Sequence, residues 1–316
     1  MTSSAFMGVI LAAGKGTRMQ PFSEHFPKPI LPLGGRPLIA HQLEIMRGLG
    51  VTEVVIVIGH LGHEVVRTLG DGDAWGMRIT YVEQEQTLGI AHAVSKLEPY
   101  VSKPFFLFLG DIYFETSDLG TMVGRMREGS RAHGVLAVKR EPDQAAIRRN
   151  FVVLTDGADR VVRVVEKPRH PRTDLKGCGI YLFDVTFFDA VRRTPRTALR
   201  DEYEITDSIQ IFIEDGYRVE AAEVIRNDLN LSFPEDLLDL NLHWLDQNGK
   251  SELVGDGVVL HDGAKIEHSI VMAGATVENA ITIKDSLVFP GVRVTSKDDL
   301  VGVILTNETE IHCHDR

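Results

Sequence analysis

An α/β fold with a mainly parallel sheet, followed by a short left-handed β-helix-like segment, is predicted by three features of the sequence. Short apolar runs alternate with longer amphipathic ones over the first half of the 316 residues, the β-α-β-α rhythm of parallel strands joined by helical crossovers. A glycine-rich turn, Ala13-Gly14-Lys15-Gly16, comes directly after the first apolar run, where such sheets receive ligands. Beyond residue 250 the composition shifts to small residues, Val, Ile and Gly in a degenerate repeat.

Strands are expected at residues 8–12, 53–58, 78–83 and 105–109, with helices from about residue 37, over 62–69 and over 89–96. Ligands lie beyond the carboxyl ends of such strands, so residues just after Leu11 and just after Leu109 are expected to face one crevice. Further strands are expected at 134–138, 151–154, 161–166, 179–183 and 217–222, and a helix at 205–214. Ser232-Phe233-Pro234-Glu235 reads as a capping box opening a last helix and Asn248-Gly249 as its stop. This sets expected domains at 1–249 and 250–316. In the tail, Gly263-Ala264-Lys265-Ile266, Gly274-Ala275-Thr276-Val277 and Gly291-Val292-Arg293-Val294 recur at offsets of 11 and 17, which suggests two or three coils of a β-helix. An irregular β-hairpin is the alternative. Too short to be an enzyme by itself, the tail is expected to be a packing or oligomerisation surface.

Hydrophobic residues at 43% and charged residues at 25% are those of an ordinary soluble globular chain. The longest apolar runs have five residues, far short of a membrane span. The opening Met1-Thr2-Ser3-Ser4-Ala5-Phe6 lacks the basic start of a secretory signal, and two cysteines form no disulfide framework, so a reducing cytoplasm is expected. A net charge of −11 argues against a general nucleic-acid or anionic-membrane binder. Between residues 13 and 37, however, Lys15, Arg18, Lys28 and Arg36 face only Glu24, a local device for an anion. A solvated loop is the alternative.

Phosphate chemistry concentrates in Leu11-Ala12-Ala13-Gly14-Lys15-Gly16-Thr17-Arg18 and the later Pro27-Lys28-Pro29. Glycines let backbone N–H groups approach a polyphosphate, and the cations neutralise it. The run is not a Walker loop, and Met19 stands where a dinucleotide fingerprint needs its third glycine. These motifs closely resemble the nucleotide-sugar pyrophosphorylases, sugar-1-phosphate nucleotidylyltransferases whose signature is L-A-[GA]-G-x-G-T-R followed by P-K. The resemblance continues to about residue 250. It implies a Rossmann-like nucleotidyltransferase domain, with Leu11, Ala13, Gly14, Gly16 and Thr17 along the nucleotide. It also places Arg18 on the β,γ-phosphates and Lys28 on the α-phosphate.

The same resemblance assigns Gln84 and Gly89 to the base, because family members with a glutamine at this spacing read a pyrimidine. An amide pairs with both the acceptor and the donor of a uracil or thymine edge, which favours UTP or dTTP. A surface residue closing a strand is the alternative for Gln84, and His92 is expected to be a packed or capping side chain. Asp111, ending the apolar run Leu109-Gly110-Asp111, matches the family aspartate that binds Mg²⁺, and an oxygen ligand suits that ion. The second family ligand falls on Asn230, with Asp228 as the nearby alternative. Val165-Glu166-Lys167-Pro168 matches E-K-P, in which the glutamate holds sugar hydroxyls and the lysine the sugar phosphate; a strand-end salt bridge is the alternative. Gly177-Cys178-Gly179-Ile180-Tyr181 resembles the next sugar-site strand, with Gly179 at the sugar and Cys178 as packing, and Glu202-Tyr203-Glu204-Ile205-Thr206-Asp207 is family-like as well. One position departs. Where many glucose-1-phosphate enzymes have [Tyr/Phe]-Gly, this chain has Asn150-Phe151, and a ring at Phe151 is expected to fill acceptor space. A modified sugar, a cyclitol phosphate or a phosphorylated alcohol therefore stays open beside glucose.

The resemblance thus implies Mg²⁺-dependent transfer of a nucleotidyl group from an NTP to a sugar 1-phosphate. The expected partners are those two substrates, with no nucleic acid and no membrane. A non-catalytic relative that senses nucleotide sugars is a rival, opposed by the presence of Arg18, Lys28, Asp111 and Lys167. An additional acyltransferase in the tail would need more coils. The closing His312-Cys313-His314 could hold a metal, although a frayed terminus is expected.

Overall fold

Strands whose side chains are buried on both faces need helices above and below, and the first half of the chain supplies both. Val9, Ile10, Val55, Ile56, Phe106 and Leu107 are all buried although neighbours point to opposite faces. The computed structural model describes residues 4–127, 132–198 and 200–313. Residues 1–3 of the segment read for a signal, and His314 of the terminal motif, lie outside them. Two units divide the chain: the residues through Lys15 with His41–Leu229, and Gly16–Ala40 with Asn230–Arg316.

The first unit is built on a nine-stranded sheet. Met7–Ala12 pairs in parallel with Glu53–Ile58 on one side and Phe105–Leu109 on the other, and Arg78–Glu83 extends the parallel half. The other half departs from the parallel expectation. Leu175–Phe183 runs antiparallel to both Phe105–Leu109 and Gly134–Arg140, and Phe151–Thr155 runs antiparallel to Val161–Glu166. Helices Gly62–Leu69 and Ile205–Glu214 fall where the pattern put them, and the first helix spans Leu38–Gly48. The strands Ile112–Thr116 and Ile225–Asn230, and the helices Gly120–Met126, Gln144–Arg149 and Phe187–Arg193, were not expected from the pattern.

In the second unit a three-faced parallel β-helix replaces the hairpin alternative. Ile270, Leu287 and Ile304 stack through adjacent strands of one face, each 17 residues beyond the last, and the other two faces repeat at the same step. The repeat is therefore 17 residues throughout, and the offset of 11 joined two different corners: Gly263 lies over Ala280, whereas Gly274 lies over Gly291. Inside the stack, Ser269 and Ser286 form a ladder in which Ser269 Oγ accepts from Ser286 N at 2.9 Å and Ser286 Oγ from Val303 N at 3.1 Å. The end is not frayed as far as Cys313. Glu310–His312 pairs antiparallel with Val303–Leu305, and Cys313 N donates to Gly302 O at 2.8 Å.

The helix Pro234–Gln247 begins one residue later than the capping-box reading supposed. Phe233, which offers no side-chain acceptor, is its N-cap, and Asp236 Oδ2 accepts from the N–H groups of Ser232 and Phe233 at 2.7 and 2.8 Å. The segment Gly16–Ala40 packs on this helix and on the coils. Asn241, fully buried, accepts from Gly34 N at 3.0 Å and donates to Pro32 O at 2.9 Å. Phe22 stacks on Phe289 with centroids 5.7 Å apart and planes at 4°, and Phe26 meets the same ring at 5.9 Å. Since both stacked rings are buried, Phe289→Ala is expected to cost about 3–5 kcal/mol in denaturant unfolding. A loss below about 1 kcal/mol would mean that the segment does not depend on the coil for its place.

Candidate active site

Four parallel strands of the first unit end in register. Leu11 is the direct partner of both Val57 and Leu109, Ala12 of Ile58, and Ile58 of Glu83. Leu11, Ala13 and Gly14 therefore emerge beside Asp111, and Gln84 stands just past the outermost end, its N–H donating to Ile58 O at 2.8 Å. This is the single edge expected from the sheet type.

The turn that presents Asp111 is held from behind by a residue that no motif singles out. Gln42, on the first helix and 1% exposed, donates through Nε2 to the carbonyls of Leu109 and Ile112, both at 2.8 Å. Its Oε1 has no hydrogen-bond partner among the described residues. A buried amide oxygen left alone is costly, so the two bonds at the turn must more than offset it. Only a helix face that is otherwise apolar could have marked the residue.

Around the expected base site, Gln84 is buried and its Nε2 lies 2.8 Å from His92 Nδ1. His92 stacks over Tyr203 at 6.1 Å. Burial first, and then Lys96, push the His92 pKa below its ordinary 6.5, so the ring stays neutral and able to accept from the amide. His92 is thus a packed partner of Gln84, as expected. Gly89 has φ of 106°, and a Cβ there would stand 2.5 Å from Tyr203 O. Only glycine lets the family-like segment dock so closely, with Tyr203 N donating to Leu88 O and Ala91 N donating to Tyr203 O.

On the antiparallel half, Phe151 and Glu166 are cross-strand partners and so share a face. Glu166 takes Thr206 Oγ1 at 3.4 Å, Arg200 at 3.5 Å and Lys167 at 3.6 Å. Burial and the neighbouring Glu204 hold its carboxyl above the usual range, against the pull of Lys167 and Arg200. Phe151 does not occupy open space. Its ring is 6% exposed, stacks on Tyr181 and lies where a side chain at Gly177 would be, with a Cβ there only 1.8 Å away. The departure at Asn150-Phe151 is therefore a packing exchange with Gly177, which corrects the expectation of a blocked pocket. Gly179 lies against Leu109 and Ile112, the residues flanking the Asp111 turn. Burial raises the pKa of the Cys178 thiol, consistent with a packing role.

Asp228 is the alternative ligand that the structure turns away from metal. Its carboxylate, buried, takes Lys176 at 2.8 Å and Lys139 at 3.2 Å, and Glu141 completes the quartet. Two ammonium groups on one carboxylate leave little charge for a cation.

In the second unit, Gly16, Thr17 and Arg18 continue from the glycine turn, with Arg18 over the Phe233 ring at 5.2 Å. The Lys28 stem lies against Gly16, and Nζ donates to Leu231 O at 2.8 Å, beside the exposed Asn230. Among the described residues no three or more His, Cys, Asp or Glu side chains gather as a metal cage, the terminal His312 and Cys313 included. No helix among them is long and apolar enough to cross a membrane.

The nucleotidyl transferase family matches residues 7–247, and the GlmU-like C-terminal hexapeptide family matches residues 246–315. The chain belongs to the nucleotidyl transferase family. It is a nucleotidyltransferase of the nucleotide-sugar pyrophosphorylase group, and its tail is a hexapeptide-type left-handed β-helix. A glucose-1-phosphate thymidylyltransferase of Streptomyces antibioticus is 30% identical over 303 residues, covering 93% of this chain and 84% of that protein. A UTP–glucose-1-phosphate uridylyltransferase of Haloferax volcanii is 34% identical over 228 residues, 72% of this chain and 92% of its own. A solved UDP-glucose pyrophosphorylase with UDP-glucose shares the fold, with a TM-score of 0.66 over 77% of this chain and 99% of its own at 20% identity.

Removing the Gln42 amide tests the support behind the turn. Gln42→Leu leaves two carbonyls without their donor and is expected to cost about 1–3 kcal/mol in urea unfolding. Wild-type stability in that variant would mean that the turn holds itself.

Proposed function

We propose that the chain transfers a nucleotidyl group from UTP or dTTP to a sugar 1-phosphate, giving an NDP-sugar and pyrophosphate. The observation that carries the reading is the Leu11–Leu109 register, by which the glycine turn and Asp111 leave the sheet side by side. A phosphate oxygen of the acceptor attacks the α-phosphorus in line. The bond from that phosphorus to the bridging oxygen breaks, and its electron pair leaves with pyrophosphate. No covalent enzyme intermediate is needed, and positioning and charge neutralisation suffice.

In this reading residues 1–249 carry catalysis and 250–316 form a packing or oligomerisation segment. Leu11, Ala13, Gly14, Gly16 and Thr17 line the nucleotide, Arg18 meets the departing phosphates, and Lys28 meets the α-phosphate. Gln84 and Gly89 frame the base. With Nε2 given to His92, the Gln84 carbonyl is the atom left to accept the N3–H of uracil or thymine. Glu166 and Gly179 frame the sugar and Lys167 its phosphate. With the Phe151 ring seated over Gly177, the sugar space is not taken by it, and a gluco-configured ring is the acceptor core. Asp111 and the Asn230 carbonyl would hold Mg²⁺, being oxygen donors of the kind that ion prefers. When bound, it neutralises charge at the reacting phosphorus. Two buried thiols, Cys178 and Cys313, suit a reducing cytoplasm.

Asp111→Asn is expected to reduce pyrophosphate release more than tenfold, about 1.4 kcal/mol or more of barrier, with the fold intact by circular dichroism. Activity above about a tenth of wild type would remove Asp111 from the site. The base contact carries a pH signature. Because the His92 pKa is lowered, its ring is neutral above 6.5, so affinity for UTP or dTTP should be flat there and weaken only at more acid pH. A loss of nucleotide affinity on acidification, read as a rise in KM, that is already centred at or above pH 6.5 would refute the Gln84–His92 pairing as the base reader.

A further inference from the structure

Two loops of the first unit carry charge that the proposed reaction leaves unused. One connects Glu141 to Asn150 and contains the helix Gln144–Arg149; the other connects Lys167 to Asp174. Backbone bonds tie the pair at both ends, with Glu141 N donating to Asp174 O at 2.9 Å and Lys167 N donating to Asn150 O at 2.8 Å. The loops therefore leave the sheet side by side, adjoining the Phe151 and Glu166 partners.

Between them they expose Arg148, Arg149, Arg169 and Arg172, next to Lys167. The acids of the same loops are engaged elsewhere. Asp143 caps the helix through the N–H groups of Ala145 and Ala146, Glu141 is held by Lys139, and Asp174 by Arg140. Among the described residues none of the four arginines forms an ion pair. In a chain of net charge −11, these clamped loops make a local positive field. The charges are guanidinium forks, which match the paired oxygens of a carboxylate or phosphate better than ammonium groups do. The acceptor's 1-phosphate already has Lys167.

We propose that the acceptor is a sugar 1-phosphate bearing a second anionic group, a carboxylate or a further phosphate, and that this group docks on the two loops. The inference rests on the sugar-1-phosphate reading of Glu166 and Lys167. The field serves the sugar end of the acceptor, because the loops continue from the residues assigned to the sugar and its phosphate.

The test compares kcat/KM for glucose 1-phosphate, glucuronic acid 1-phosphate and glucose 1,6-bisphosphate with UTP and with dTTP. The full chain and the paired variants R148A/R149A and R169A/R172A are measured at low and at moderate salt. All three acceptors share the gluco ring, so only the second anion differs. One anionic acceptor is expected to exceed glucose 1-phosphate by about tenfold or more, the scale of one charge-assisted contact, and its identity tells carboxylate from phosphate. Each paired variant should shrink that ratio, and added salt should do so as well. Glucose 1-phosphate used as well as both anionic acceptors would overturn the inference. So would variants that slow all three acceptors by one factor, or that raise only the KM for nucleotide. Absence of pyrophosphate release from all three, with both nucleotides, would instead bring down the sugar-1-phosphate reading on which the inference rests.

Discussion

The in-register ending of the parallel strands is the constraint on which the first unit depends. Strands buried on both faces have no room for polar side chains along their length, so the polar residues that do chemistry are confined to the ends. Ala12, Ile58 and Leu109 end within a residue of one another, and the chain turns polar or glycine-rich just past each of them: Gly14-Lys15, Gly59-His60, Gly110-Asp111. The apolar interior and the location of the candidate site are thus one fact seen from two sides. Gln42 is the exception that supports the rule. Its amide reaches the strand end from the covering helix and carries into the interior an oxygen that has no partner among the described residues.

Much of this was legible because it is local. The strands Glu53–Ile58, Arg78–Glu83, Phe105–Leu109 and Val161–Glu166 and the helices Gly62–Leu69 and Ile205–Glu214 coincide with uninterrupted apolar periodicity and clear stops. The sheet type and the family motifs came from the same runs. The features that escaped depend on partners far along the chain. Ile225–Asn230 is short and rich in polar residues, and it pairs with Ile112–Thr116, more than a hundred residues earlier. The ring at Phe151 looked like an obstruction because nothing in its neighbourhood announces that Gly177 has vacated the space. The bonds from Lys139 and Lys176 to Asp228 are likewise invisible to spacing, yet they decide what that carboxylate is free to do.

The quartet of half-buried Lys139 with buried Glu141, Lys176 and Asp228 also shows how an acidic chain distributes its charge. Burying four ionised groups carries a desolvation penalty that mutual attraction only partly offsets, so such a cluster is weak evidence for stability. Its effect is geometric: it joins the strands Gly134–Arg140, Leu175–Phe183 and Ile225–Asn230 at one point. Within this cluster, charges are balanced one for one. At the surface of the adjoining loops they are not, and the two patterns separate charge used for structure from charge offered to solvent.

The stacking of Phe22 and Phe26 on Phe289 bears on how such a chain can be rearranged by recombination. The repeat begins after the last helix, and a tail of identical coils looks like an ornament that could be exchanged for another. The aromatic seam says otherwise, because the peptide bearing Arg18 and Lys28 has its apolar side on a ring of the third coil. A tail acquired from elsewhere would have to bring a matching aromatic at that level, or leave Phe22 and Phe26 of the Gly16–Ala40 segment without their partner ring. The segment Gly16–Ala40 and the tail, distant in the chain, are therefore one packing unit, and exchange of either alone would unmake the seam.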